Sequence, residues 1–514
     1  YSISSLGTQF MVDGVPISTD ANLQYSPLSD TQSSVSSSST ENNRNITNKG
    51  VDMRSISTDD IETVEVVRGI PSVEYGNLTS GMVNIKKIRR AIPWTARFKA
   101  DGYSKLFSIG KGLAFGVSGK SILNVDLGYM DSKIDPTDNF ESYKRVTGSV
   151  RYTYRKEQDK HRTLQWNSSF DYSGSFDNSK TDPDINYGRV DEYKSSYSRM
   201  AFSNSLNIRM PKSWFKEFDV NTSLSLQLDR LRQTRLVAPQ RYGIVPLSWT
   251  DGENEAQAVY AEYMANYLCD GKPFTAYVKA KGVMGFKALG TDNNVKIGLN
   301  WDLAKNFGDG QVYDMHRPLS LTGWSSRPRK YSDIPALQNL SFFVEELMKW
   351  KWGQNKFELM AGVRLNTMPG LDDKYDMSGK VYADPRGNLA WHFPKFNVGG
   401  KPMAISLNGG IGITTKMPTL NYLYPDKYYS NFICLAYYDT ANPEQDSKFI
   451  VHTYVQDPTN YGLKPAKNKK WEVRLDMDWN DNRLSVDYFR EAMSSGFRYS
   501  STYGVYNYNY YDVS

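Results

Sequence analysis

From Trp94 onward the chain falls into segments of about ten residues that alternate apolar and polar side chains, the length a tilted strand needs to cross a bilayer. In 122–130, Leu123, Val125, Leu127 and Tyr129 share one face, with Asn124, Asp126 and Gly128 on the other. In 164–172, Leu164, Trp166, Phe170 and Tyr172 oppose Gln165, Asn167, Ser169 and Asp171. The clearest hairpin is 471–489. Trp471, Val473, Leu475, Met477 and Trp479 alternate with Glu472, Arg474, Asp476 and Asp478, a tight turn is expected at Asp481-Asn482, and Leu484, Val486 and Tyr488 then alternate with Ser485 and Asp487. Period two alone would also suit a soluble sandwich. Two features favour a membrane barrel: aromatics stand at both ends of the apolar face, as interfacial girdles require, and charges crowd one face in strand after strand, as a wet lumen requires.

The connections point the same way. The pattern predicts about fifteen strands joined alternately by short and long segments, as in barrels with periplasmic turns and external loops. Short connections fall at 119–121, 156–161, 210–216, 289–292, 351–355, 394–400 and 480–483; most of the others, 131–143, 174–195, 230–272, 305–336, 367–379 and 412–469, are long. Single-chain barrels of this kind have an even number of strands, so an odd count is itself informative.

Ahead of the strands, a different unit is written into 59–85. An alternating strand (Ile61, Val64, Val66) runs through Glu65 into Arg68-Gly69, Pro71, Tyr75-Gly76 and Gly81, and closes on Met82-Val83-Asn84-Ile85. Glycine supplies positive-φ corners and close backbone approach, and proline sets a turn, so a compact strand-turn-strand unit is expected. This ordered set resembles the end of the plug domain of TonB-dependent outer-membrane receptors. Asp13-Gly14-Val15-Pro16, after Phe10-Met11-Val12, resembles the strand that precedes it there. The resemblance implies an all-β membrane barrel with a small α+β plug domain: residues 1–88 as the C-terminal part of the plug, 89–514 as the barrel. About fifteen of an expected twenty-two or so antiparallel transmembrane strands are then present, and the chain reads as the middle of a longer receptor.

Further motifs resemble receptors of gut- and mouth-dwelling Gram-negative bacteria. They are Pro328-Arg329-Lys330-Tyr331-Ser332-Asp333-Ile334-Pro335, Phe343-Val344-Glu345-Glu346, Tyr382-Ala383-Asp384-Pro385-Arg386, 410–419 and Leu423-Tyr424-Pro425-Asp426. Glu74-Tyr75-Gly76-Asn77-Leu78-Thr79-Ser80-Gly81 departs from the form of the glycan-importing branch, which weakens a glycan substrate. The resemblance implies outer-membrane import of a scarce ligand (siderophore, cofactor, peptide or glycan) by plug movement driven from the inner membrane. The partners it implies are a TonB-type energising complex, the lipid bilayer with its lipopolysaccharide, and a surface lipoprotein or other outer-membrane proteins. The alternatives are a passive porin or adhesin barrel, and a soluble all-β binding protein; the latter needs a blade-length repeat that the sequence does not show.

Composition narrows the chemistry. With 514 residues the chain exceeds one ordinary domain. No run of ~18 apolar residues marks a membrane helix, whereas 36 Tyr and 11 Trp suit two girdles. A net charge of +6 is mild and marks no nucleic-acid stripe. Lys86-Lys87-Ile88-Arg89-Arg90 and Pro93 form a basic linker, and 34–44 is a low-complexity plug loop. Cys269 and Cys434 are expected in exposed loops, their pairing open.

His161, His316, His392 and His452 are scattered singly, and no His/Cys/Asp spacing fits a metal site; no cofactor is called for. Gly110-Lys111-Gly112 with Gly116 lacks phosphate-loop spacing, and no nucleophile elbow or catalytic carboxylate pair appears, so an enzyme is not expected. Ligand contacts are expected in two loops. The first brings Tyr313, His316, Arg317, Trp324, Arg327, Arg329 and Tyr331; the second Tyr422, Tyr424, Tyr428, Tyr429, Phe432, Tyr437 and Tyr438. Arginine with aromatics favours anionic or ring-bearing ligands, against the plainer alternative of loop-on-loop packing. Glu65 and Arg68 are expected to meet wall residues such as Arg474, Asp476 and Arg151.

Overall fold

The computed structural model describes residues 7–24, 50–116, 120–133, 135–138, 140–158, 162–182, 184, 187–321, 326–480, 482–499 and 504–512. The small unit is a four-stranded sheet of β1 (Thr8–Val12), β2 (Val15–Pro16), β3 (Ile61–Val67) and β4 (Gly81–Lys87), ordered β2-β1-β4-β3. Val12 pairs with Val15 across Asp13 (φ 50°) and Gly14 (φ 81°). A two-residue hairpin with both central φ positive is a type I′ turn, which Asp-Gly suits. Met11, Met82 and Ile85 of the sheet are buried, as are Val73 and Leu78 of the loop between β3 and β4. β3 is exposed, Val64 and Val66 included.

Around this plug curls one large antiparallel sheet of about fifteen strands. Its inner face carries buried Asn124, Arg151, Ser169, Asn468, Lys470 and Asp476, while Leu127, Trp166, Phe170, Trp471 and Val473 are exposed outward. That is the inverted dyad of a barrel with a polar interior. Near the short turns, Trp350, Phe357, Trp391 and Phe393 stack in series, with centroid separations of 5.2, 5.6 and 4.2 Å, an aromatic girdle at one rim.

The structure corrects four expectations. Strands outrun a bilayer crossing: Phe215–Val237 has 23 residues and Arg162–Lys180 has 19. Beyond the apolar band both faces are polar, so the alternation fades while the ladder continues. Loop 412–469 contains the hairpin Tyr428–Tyr437/Lys448–Gln456, against which Gly252–Glu255 pairs. The tight turn falls one residue earlier than expected, since Trp479 pairs with Asn482 and Asn480 takes φ 50°. Neither cysteine is exposed: Cys269 lies in Tyr263–Gly271 opposite Leu231, Cys434 in Tyr428–Tyr437, and both are buried and outside any disulfide.

The strand order returns to its start as a barrel does. Yet no ladder among the described residues joins Asn482–Ser495 to Ile92–Ala100, and both strands are exposed along almost their whole length. Exposure on both faces is what an unpaired edge shows, so we read this place as a seam in the wall. Within lipid such edges need partners.

Above the plug, the long loops close over the lumen. Tyr331, Leu337, Tyr375, Met377, Met417, Leu420 and Leu423 form an apolar cluster that also takes in Ala21 and Leu23 of the plug.

Candidate functional site

Two arrangements in the lumen and loops have the polarity and geometry of function. The first latches the plug to the wall. After β3 the chain turns at Gly69 and runs through 70–80 against the barrel, where wall side chains take hold of both its backbone and its carboxylate. Glu74 is buried and meets three lysines, Lys279 at 2.9 Å, Lys281 at 3.1 Å and Lys296 at 3.2 Å. Burial alone would raise its pKa, but the lysines outweigh burial and hold the carboxyl well below the ordinary glutamate range. Glu345 accepts from Ser72 Oγ and Val73 N, each at 2.9 Å, and ties in Lys296 at 2.9 Å.

Two buried arginines grip the backbone of the same loop. Arg386 Nη1 donates to the carbonyls of Ser72 at 2.9 Å and Tyr75 at 2.7 Å, and Arg364 Nη1 to Glu74 at 3.1 Å. Asn388 holds the Ile70 carbonyl, Asn468 that of Thr79 and Lys470 that of Ser80. Close approach explains two glycines of the motif. A Cβ on Gly69 would stand 2.3 Å from the Glu472 carboxylate, and one on Gly76 2.1 Å from Arg364 Nε. Neither takes a positive φ; the corners belong to Gly14, Asn77 and Gly81.

A second set anchors the other end of the sheet. Asp60 accepts from Arg151 at 2.9 Å and pairs with Lys87 at 2.7 Å, while Lys87 also reaches Asp171 at 2.7 Å. Burial would lower the Lys87 pKa, but Asp171 and Asp60 raise it, so the ammonium persists. Asp13 takes Arg89 at 2.8 Å, and Asp20 takes Lys416 at 2.9 Å.

The second arrangement lies among the outer loops. Trp249, Arg327, Arg329, Tyr424, Lys427 and Tyr429 line a cavity of about 390 Å³. Arg329 is committed, pairing with Asp426 and donating to the Tyr424 carbonyl at 2.7 Å. Arg327 is not. It is 4% exposed, stacks over Tyr429 at 4.5 Å and donates to the Ser248 and Ser326 carbonyls at 3.0 and 2.9 Å, yet its Nη2 has no hydrogen-bond partner. Burial pulls its pKa below the ordinary arginine value. No acidic side chain pairs with it among the described residues. A buried guanidinium without a counter-anion is costly, and an anion in the cavity would relieve that cost.

The family model described as "TonB dependent receptor-like, beta-barrel" matches residues 110–512. The chain belongs to the TonB-dependent receptors. No curated protein sequence matches it. Among solved structures, a mutant of the ferric enterobactin receptor PfeA from Pseudomonas aeruginosa is similar at 16% identity and TM-score 0.54, over 95% of this chain and 64% of that one. The siderophore receptor PirA from Acinetobacter baumannii is similar at 15% identity and TM-score 0.55, over 95% and 64%. The RagAB peptide transporter is similar at 10% identity and TM-score 0.55, over 95% and 62%. At such identities the likeness is one of fold, and this TonB-dependent receptor chain spans less than two thirds of the length of each.

Of the plug signature in this receptor, Asp13, Gly14 and Pro16 build the first hairpin, Asn84 is buried at the sheet centre, and Pro71, Tyr75 and Gly76 belong to the latch. Gly81 closes against the Val67 carbonyl, 2.6 Å from where its Cβ would be. Glu65 and Arg68 depart from expectation. Both are exposed, Glu65 on β3 and Arg68 just past its end, and Glu65 sits 3.9 Å from its sheet neighbour Lys86, not against the wall. Arg151 pairs with Asp60 and Asp126, and Arg474 with Asp476 on its own strand.

Of the loop candidates, Arg327, Arg329, Tyr424 and Tyr429 converge on the cavity. Tyr331 is instead fully buried, Tyr313 packs on Tyr267 at 5.9 Å, Tyr428 begins the outer hairpin, and exposed His316 bonds Gln257. Trp324, His161 and the 34–44 loop lie outside the described residues. Sequence reasoning missed Lys279, Lys281, Lys296 and Arg364. Glu345 and Arg386 stood in plain view within motifs noted for resemblance alone, and they prove to be the wall side of the latch.

Proposed function

We propose that this chain forms the plug and much of the wall of an outer-membrane transporter that takes up a scarce ligand when an inner-membrane, TonB-type partner pulls on the plug. The single observation that carries this reading is the chemistry of the latch. The 70–80 loop is held to the wall by carboxylates, lysines, arginines and amides, so it can slide or detach by exchanging polar partners or admitting water. A plug seated on a wholly apolar interface would expose that surface at a cost of roughly 25 cal/mol per Å². Because the outer membrane has no nucleotide pool to draw on, the work of breaking the latch arrives mechanically. The ligand enters from the loop side, where the cavity offers the Arg327 guanidinium, with its Nη2 unbonded, and several aromatic faces to an anionic or ring-bearing molecule. Such a protein is a receptor and conduit, not a catalyst, and its partners include the bilayer and its lipopolysaccharide.

Uptake of candidate ligands by cells expressing the full-length receptor, with the energising partner present and deleted, tests the reading. Uptake that requires the partner supports it. Uptake that continues at the same rate without the partner would make the protein a passive channel.

A further inference from the structure

One cluster of ligating side chains lies apart from both the latch and the Arg327 cavity. Gly252–Glu255 pairs with Lys448–Gln456 so that Glu253 stands directly opposite His452. On the other side, Lys448–Gln456 pairs with Tyr428–Tyr437, and Phe432 faces the same histidine. The second ladder slips between Ile433 and Leu435, leaving Cys434 as the extra residue of a bulge. A bulge redirects one side chain without ending the strand. The consequence is that a Glu253 carboxylate oxygen, the Cys434 sulfur and a His452 ring nitrogen all lie within 4.8 Å of one another.

The surroundings treat these three side chains as ligands in waiting. Both ring nitrogens of His452 are shielded from solvent and have no hydrogen-bond partner, an arrangement that costs free energy unless something binds them. Cys434 forms no disulfide and is fully buried, its Sγ donating to the Phe432 carbonyl at 3.7 Å and accepting from the His452 backbone N–H. The Glu253 oxygens are oriented one each, by Asn509 Nδ2 at 2.8 Å and Tyr511 OH at 2.9 Å. Tyr511 N also donates to the Cys434 carbonyl at 2.8 Å, fixing the bulge. Supporting hydrogen bonds of this kind fix the orientation of a ligating carboxylate. Asp251 Oδ1 lies 4.0 Å from His452 Nε2 and is placed to supply a further oxygen.

We propose that Glu253, Cys434 and His452 bind a borderline-soft divalent transition cation, of which Zn²⁺ is the type. Thiolate, imidazole and carboxylate are its ordinary donors, and hard cations such as Mg²⁺ or Ca²⁺ would refuse the sulfur. Bonds of about 2.0–2.3 Å place tetrahedral ligands roughly 3.5 Å apart, so the site closes by about an ångström on binding. The Cys434 thiol releases its proton to solvent as the metal–sulfur bond forms, and Asp251 or water completes the fourth position. The cation then ties Gly252–Glu255, the outer hairpin and the 504–512 segment together. Trp249 and Tyr429 of the Arg327 cavity lie a few residues from Glu253 and Cys434 along the same two segments, so the metal stiffens one wall of that cavity. The proposal stands whether or not the protein transports anything.

The test is titration of the full-length receptor in detergent with ZnCl₂ against a chromogenic chelator, and separately with CoCl₂ followed by absorption. One equivalent of Zn²⁺ and a thiolate-to-cobalt charge-transfer band are expected. His452→Ala and Glu253→Gln each weaken Zn²⁺ binding by about tenfold or more, by analogy with losses on perturbing metal sites. Cys434→Ser removes the cobalt band, and His316→Ala in a different loop changes neither. Glu253→Gln alters only an exposed strand residue and keeps the result readable if the buried variants fold poorly. Absence of stoichiometric Zn²⁺ binding, or an affinity that Glu253→Gln and His452→Ala both leave intact, would overturn the proposal.

Discussion

Replacing Glu74 by glutamine keeps the shape of the latch and removes its central charge. Its effect can be worked through lysine by lysine. Lys296 retains Glu345 at 2.9 Å, and the Lys281 side chain keeps 16% of its surface in solvent, so both have somewhere to place their charge. Lys279 has neither recourse: its side chain is 4% exposed and Glu74 is its ion-pair partner. Breaking one buried pair from one side costs about 3–5 kcal/mol. The Tyr75 ring, 5.6 Å from Lys279 Nζ, returns about 0.5–1 kcal/mol as a cation–π contact. A net loss of about 2–4 kcal/mol remains, which is roughly a thirty- to thousand-fold rise in the population of the opened loop. Native-state hydrogen exchange of residues 68–80 reads that population, since Val73 N is held by Glu345 and Tyr75 N by Ser72. Exchange in Glu74→Gln should accelerate by that factor, and adding Lys279→Gln should recover part of it because the orphaned charge is then gone. Acceleration of less than about threefold would refute the reasoning.

The remaining predictions follow from the same geometry. Arg68→Ala should leave plug exchange and thermal stability within about 0.5 kcal/mol of wild type, as for an exposed side chain away from the wall; a calorimetric or exchange change well beyond this would return Arg68 to the latch. Gly76→Ala should destabilise by about 1–3 kcal/mol, since its Cβ displaces Arg364 from the loop carbonyls, and thermal unfolding checks it. The folded pKa of Glu74 is depressed, so its contribution is fully present above the unfolded value of about 4.3 and is lost as pH falls toward the folded value. Loop exchange, corrected for intrinsic rates, should therefore stay flat from pH 8 to about 5, and a transition near neutrality would contradict the assignment. Arg327→Met should weaken binding of an anionic ligand by roughly ten- to a hundred-fold, the worth of one charged hydrogen bond, while thermal stability holds or rises because a buried unpaired charge has gone.

The parts of the fold legible in the sequence are those governed by a local period. Trp471 to Trp479 alternate because one face meets lipid and the other the lumen, and the structure places Trp471 and Val473 outside and Asp476 inside. Asp13-Gly14 announces its hairpin because few residues accept two positive φ values in succession. Strand ends were hidden, since Arg230 to Val237 continue a ladder above the bilayer where no apolar face is needed. The latch was half hidden. Glu74 and Lys279 lie 205 residues apart, and no spacing rule links a plug carboxylate to a wall lysine. Glu253, Cys434 and His452 escape any motif search for the same reason: three strands and a bulge bring them together. Arg68 stands within the plug motif, but its side chain is exposed and its place in the sequence carries no sign of which way it points.

The proposed transport requires the plug to leave its seat for the ligand to pass. Thr79 and Asn468 meet across the plug–wall boundary, with Asn468 Nδ2 2.9 Å from the Thr79 carbonyl. The most direct measurement is ligand uptake by cells carrying Thr79→Cys together with Asn468→Cys, assayed after oxidation and again after reduction. The native Cys269 and Cys434 are buried and serve as the unmodified background. The oxidised receptor should still bind ligand at its surface but transport none, and reduction should restore transport. Uptake at the unlocked rate while the plug is demonstrably tethered would contradict it.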